Sequence, residues 1–234
     1  MHGPAATLLD DDGNASMATA VMLSHHGLRR DLALFARTLA QQPTSWGPDT
    51  AGHLKQAWTD YRNVLHGHHE AEDTRMFPSM RAQHPELAAV IDQLTADHRR
   101  IDPLLEEGDQ AFAQLPDTKA ASALVSHLWA LLGPHLRLEE DTIIPLLRQA
   151  REFPPLASPE EIELFAQGFA WGSHGIAPEV LEKVYAMLPP ELSARLPAAR
   201  AAFDQKHDSI WGRGAPTGTS HTCVPDWLGG ELGL

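Results

Sequence analysis

The sequence predicts an all-α fold: an up-down-up-down four-helix bundle with additional helices at its C-terminal end. Three observations carry that expectation. Apolar residues recur at steps of three and four over long stretches, which is the period of a helix buried on one face. Pro43, Gly47-Pro48, Pro154-Pro155 and Pro189-Pro190 break the chain between those stretches, and no strand candidate of useful length appears. A cassette of His68, Glu72 and Pro78 returns at a constant offset as His135, Glu139 and Pro145, so one pair of helices repeats another.

The elements follow in order. Residues 1–15 read as a tail. The first helix is expected from about Ser16 to Gln41, with the stripe Val21, His25, Leu28, Leu32, Phe35, Leu39. Pro43 and Gly47-Pro48 end it. Asp49 or Thr50 is a competent N-cap for the second helix, whose stripe is Trp58, Tyr61, Leu65, His68, Glu72, Met76. Pro78 is expected to kink or end that helix. The third helix follows Pro85-Glu86 and carries Val90, Leu94, His98, Ile101, Leu105. The fourth begins near Asp117 and carries Leu124, Leu128, Leu131, His135, Leu138 or Glu139, Thr142 and Leu146. Short loops between four such helices imply antiparallel neighbours. The bundle is bounded at 16–151. An extension at 152–211 holds three more helices, the first capped by Ser158, and residues 212–234 read as loop. Trp227 and Leu228 in that tail are expected to dock on the bundle.

Composition narrows the function. A chain of 234 residues with a net charge of −13 does not suit nucleic acid or an anionic membrane as partner. One cysteine, Cys223, excludes an internal disulfide and thiolate metal clusters. No basic leader followed by an apolar core opens the chain, and no apolar stretch is long enough to span a bilayer, so the expected location is cytoplasmic. Fourteen histidines are the conspicuous excess.

Those histidines fall on core positions. Residues four apart in a helix sit one above the other, about 6 Å apart along the axis. A His and a Glu so spaced can grip one ion, or two adjacent ions, from a single helix. A lone buried histidine is usually a hydrogen-bonded core residue. A buried carboxylate is different, because it needs a compensating charge. Glu72 and Glu139 share faces with leucines, and the cassette is doubled, so His25, His68, Glu72, His98, His135 and Glu139 are expected to form a metal site. His69, Asp102 and Glu140 are weaker candidates. Imidazole and carboxylate together suit iron, manganese or zinc better than calcium or magnesium. His66 and Glu70 fall on a charged flank and read as a solvated face. Cys223 has no base arrangement to make it a nucleophile, and no Gly-rich phosphate loop or G-x-S-x-G elbow occurs.

Four elements together carry a family resemblance: HHGLRRDL from His25, HGHHEAEDTRMFP from His66, ADHRRIDPLL from Ala96 and HLRLEEDTIIP from His135. They resemble the hemerythrin family, in particular its bacterial HHE cation-binding branch, over roughly residues 16–150. The segment FAWGSHGIAPEVLEKVYAMLPPEL is similar to the helical extension of some actinobacterial members. The resemblance implies a non-haem di-iron centre in a four-helix bundle: two iron ions with a bridging oxo or hydroxo group, manganese and zinc being poorer fits. Respiratory members bind oxygen reversibly with five histidines and two bridging carboxylates. Here the matching positions are His25, His68, Glu72, His98, His135 and Glu139, while the fifth histidine falls on Leu94. His69 or Asp102 is placed to fill in. This departure argues against simple reversible carriage.

Three functions follow from that resemblance. The first is a protein that binds or reacts with O2, peroxide or NO, with exchangeable positions on iron open to small oxidants. The second is a di-iron oxygenase or oxidase for an organic substrate, with Trp171, Trp211 and Trp227 as candidate pocket lining. The third is a non-enzymatic store or sensor.

Overall fold

A computed structural model describes residues 7–41 and 43–212. The expected tail positions Trp227, Leu228 and Cys223 lie outside the described residues. No β-strand occurs among those described, and the all-α expectation holds. The helices are α1 (Met17–Leu39), α2 (Thr50–Ala71), α3 (Phe77–Gln83), α4 (Ala88–Ala113), α5 (Lys119–Thr142), α6 (Ile144–Leu147), α7 (Pro159–Ser173), α8 (Pro178–Met187) and α9 (Pro190–Trp211).

Between α2 and α3 the chain stays helical but widens into one π-turn, Glu72–Met76. Pro78 explains it. A proline ring collides with the carbonyl four residues back and offers no N–H. An extra residue in the preceding turn relieves both problems, and the Phe77 N–H donates to the Glu72 carbonyl, five residues back. The helix is thus neither ended nor simply kinked. Such bulges often sit at functional sites. The second cassette does not copy this device: α5 stops at Thr142, and α6 resumes as a single turn around Pro145.

The chain divides into two compact units, residues 35–139 and the remainder. In unit 35–139, α2 packs on α4. Its core is aromatic: Trp58 stacks on Phe112 at 4.7 Å, and Phe35 meets Phe112 edge-on at 5.1 Å. Gly108 makes room for this packing, since a Cβ there would lie 1.9 Å from the Trp58 ring. The Trp58 indole N–H is satisfied by donating to Asp109 Oδ1 at 2.9 Å.

In the other unit, α7 packs on α9, and a continuous core gathers Leu8, Met22, Leu23, Ile144, Phe169, Val180, Leu181 and Leu192. Leu8 is fully buried, and its carbonyl accepts from the Thr19 hydroxyl at 2.7 Å. Helix α7 starts where Ser158 accepts from the Glu161 N–H, the expected cap. Its Gly172 lies against the Leu23 backbone, where a Cβ would meet the carbonyl oxygen at 2.8 Å. Trp171, one residue earlier, is buried and donates to Asp31 Oδ2 at 2.7 Å. Those contacts make it a packing residue.

Candidate metal centre

Helices α2, α4 and α5 bring together His69, His98 and His135, each offering one ring nitrogen within 4.8 Å of the others. All three are buried. The His69 and His98 rings stack at 4.0 Å, and the His135 ring stands edge-on to His98 at 4.8 Å. Phe77, delivered by the turn after the π-segment, lies flat on His98 at 5.7 Å.

A second set of donor atoms, from His68, Glu72 and Glu139, also lies within 4.8 Å. The two sets meet at the glutamates. Glu72 Oε1 is 3.0 Å from His68 Nε2, while its Oε2 is 3.4 Å from His98 Nε2. Glu139 belongs to the second set, yet its Oε2 lies 3.9 Å from His135 Nε2 of the first. Each carboxylate therefore spans both sets.

The donor set fits a transition-metal cation. Imidazole together with carboxylate is the mixture that iron, manganese and zinc accept. The Nε2 of His69 and both ring nitrogens of His135 are buried and meet no hydrogen-bond partner among the described residues. Buried polar atoms are normally satisfied, so a cluster of such atoms is a place for a ligand. Burial, with His98 adding to it, lowers the His135 pKa to about 2, which keeps that ring neutral and its lone pair free for an ion. Burial also lowers the pKa of His69, against a raising contribution from Asp102. At His98 burial acts the same way, but Glu72 and Asp73 outweigh it and the net shift is upward.

A second layer of carboxylates stands behind the rings. His69 Nδ1–H donates to Asp102 Oδ1 at 2.6 Å, and His98 Nδ1 is 3.1 Å from Asp73 Oδ2. In the unit that holds most of α1, His25 Nδ1–H donates to Glu140 Oε1 at 2.9 Å. Arg29 grips the same carboxylate with both terminal nitrogens, at 2.6 and 3.1 Å. Burial raises the Glu140 pKa, but His25 and Arg29 more than reverse it, so Glu140 is held well below the usual carboxylate range.

His68, Glu72, His98, His135 and Glu139 therefore come together in unit 35–139, with His69 among them. His25 is fully buried in the other unit beside Glu140. Asp102 and Glu140 stand at the Nδ1 side of histidines. Leu94, where the resemblance expects a histidine, is completely buried and apolar. His66 and Glu70 are exposed, as a solvated flank requires. Arg29 and Asp73 escaped the sequence reading. Arg29 lies one turn after His25 on the same face, and that spacing was its only local signal. Between α2 and α4, a groove of about 550 Å³ is lined by Arg62, His66, Arg99, Asp102 and Pro103.

No helix among the described residues is long and apolar enough to cross a membrane. A family model, the hemerythrin HHE cation-binding domain, matches residues 16–147. No curated protein and no solved structure matches the chain.

Proposed function

Because the chain belongs to the hemerythrin HHE cation-binding family, we propose that it holds a pair of iron ions that bind or react with O2, peroxide or NO. Membership makes it a cation-binding protein; the iron pair and its small oxidant ligands are the reading offered here. The single observation that carries the pair is the division of Glu72 between His68 and His98, which is what a bridging carboxylate needs. In this reading His68, His98 and His135 would hold the ions from the rings, Glu72 and Glu139 would be shared between them, and His25 is the first-helix histidine that the family motif calls for. When bound, an iron pair supplies the electrons that small oxidants take up. The chain's own groups do the rest. Burial of the donors excludes bulk water and strengthens their electrostatic hold. Glu140, fixed by Arg29, keeps the proton of His25 on Nδ1 and so turns Nε2 into the donor atom.

Iron-rich expression, elemental analysis and anaerobic reduction followed by mixing with O2 or peroxide test this. The expected result is about two iron per chain, by the count of ligand sets, and consumption of the oxidant. Protein that reproducibly carries no transition metal would overturn it.

A second reading, an oxidase for an organic substrate, draws on the groove beside Asp102. Its Arg62 and Arg99, set beside Asp102 and Glu106, would suit a small organic molecule that carries both charges. An optical change of the iron-loaded protein on adding such molecules would favour that reading over the first.

A further inference from the structure

The family motif and this chain disagree at Leu94, and the structure shows what stands near the gap. We propose that His69, supplied by α2, is the fifth histidine of the centre, and that Asp102, supplied by α4, is its positioning residue. The proposal rests on the dinuclear reading above.

Consecutive residues on an α-helix point about 100° apart. His68 and His69 therefore serve different neighbours. His68 reaches Glu72 at 3.0 Å and belongs to the set with Glu139. His69 turns towards α4 and α5, where it joins His98 and His135. Its ring lies nearly parallel to His98, at 4.0 Å and 15°. It is 1% exposed, against an exposed His66 three residues earlier. A histidine buried this deeply is there for packing or for ligation, and its nitrogens decide which. Nδ1–H donates to Asp102 Oδ1 at 2.6 Å. An ionised carboxylate only accepts, so that contact fixes the proton on Nδ1 and leaves the lone pair on Nε2. Nε2 is buried and has no hydrogen-bond partner among the described residues. A packing histidine would satisfy both nitrogens.

Asp102 comes from the right place. It lies one turn after His98 on α4, so the helix that carries one ligand also carries the group that orients the other. Leu94, one turn before His98, is fully buried and has no donor atom. The histidine missing from α4 has been replaced from α2, and α4 contributes a carboxylate in exchange. Asp102 is also partly open and lines the groove between the two helices, so this edge of the centre lies close to solvent.

The test is an anaerobic titration of the metal-free, full-length chain with ferrous iron, comparing the parent with His69→Ala, Asp102→Asn, Asp102→Glu and, as control, His66→Ala. His69→Ala should lose about one equivalent of iron or bind it more than ~100-fold more weakly, as expected of a lost ligand. Asp102→Asn should weaken binding by ~10–100-fold while still saturating at the parental stoichiometry. Asp102→Glu should recover part of that loss, and His66→Ala should change nothing. A merely structural Asp102 would lower the melting temperatures of the metal-free and loaded forms equally and leave the iron affinity unmoved, which would overturn its positioning role. Parental stoichiometry and affinity in His69→Ala would overturn the ligand assignment. A parent chain that takes up no iron would instead defeat the dinuclear reading itself.

Discussion

Among the described residues, one cluster of buried histidines in unit 35–139 and one of buried and half-buried histidines in the other unit keep opposite company. In unit 35–139, His69, His98 and His135 are surrounded by Glu72, Glu139, Asp73 and Asp102. In the other unit, His26, His174 and His207 gather around Arg30. His26 Nε2–H donates to the His174 carbonyl at 3.0 Å, and the His174 and His207 rings lie 4.2 Å apart. Arg30 is fully buried, donates to the Trp171 carbonyl at 2.7 Å and lies over the Phe203 ring at 5.5 Å. Two carboxylates stand at its edge: Asp204, 2.9 Å from His174 Nδ1, and Asp31, which is taken up by Arg30 at 2.8 Å. Burial first, then the neighbouring cations, lowers the pKa of His26 and of His207 to about 3 and also lowers that of His174. Histidine alone therefore does not mark a cation site. Carboxylates that face the rings prepare a place for positive charge; a buried guanidinium forbids it and leaves neutral rings that pack.

The largest expected effect separates the clusters by metal content. Glu72→Ala and Glu139→Ala should strip most of the iron, while His174→Ala, His207→Ala and the exposed Glu70→Ala should retain it. Elemental analysis after identical purification reads the difference, and iron loss in His207→Ala would erase the distinction drawn above. Metal loss should also soften unit 35–139, because an ion bound only by the folded form stabilises it by linkage.

Packing gives the next effect. Gly108→Ala places a methyl group into the Trp58 ring and Gly172→Ala places one against the Leu23 carbonyl. Each should cost about 1–3 kcal/mol by overpacking, with Gly108→Ala the larger because its contact is closer. Denaturant unfolding measures both.

Proton linkage distinguishes the clusters more gently. His207 has a depressed folded pKa of about 3 against an unfolded value near 6.5. The unfolded chain binds the extra proton, so this contribution to stability is complete above pH 6.5 and is lost as the pH falls towards 3. Between those limits the loss approaches about 1.4 kcal/mol per pH unit for one histidine. His207→Asn should flatten the acid limb of a stability–pH curve by one such slope. The same curve in both proteins would show that His207 is not held neutral.

The smallest effect is Ser158→Ala, which removes the cap of α7 and should cost about 1 kcal/mol without altering iron affinity.

What the sequence made legible were features with a local period. His68 with Glu72 and His135 with Glu139 declare themselves because four residues make one helical turn. Ser158, Pro178 and the breaks at Pro43 and Pro85 declare the helix ends for the same local reason. The π-turn at Glu72–Met76 did not, since Pro78 announces a disturbance without saying whether the chain breaks, bends or widens. Nor did the facing of His69, which sits off the apolar stripe of its helix; only the rotation of α2 against α4 and α5 brings it to His98 and His135. The grip of Arg29 on Glu140 joins residues more than a hundred positions apart, and no periodicity encodes such a contact. The sequence thus displays the candidate ligands that lie along one helix face and conceals those that depend on how helices are turned towards each other.

The central claim is that Glu72 and Glu139 hold two irons close enough to interact. Electron paramagnetic resonance of the oxidised, fully loaded protein tests it most directly. A bridged pair of ferric ions is spin-coupled and silent, so the account predicts that nearly all of the iron found by elemental analysis is missing from the spectrum. A signal from isolated high-spin ferric ions that accounts for all of that iron would contradict it.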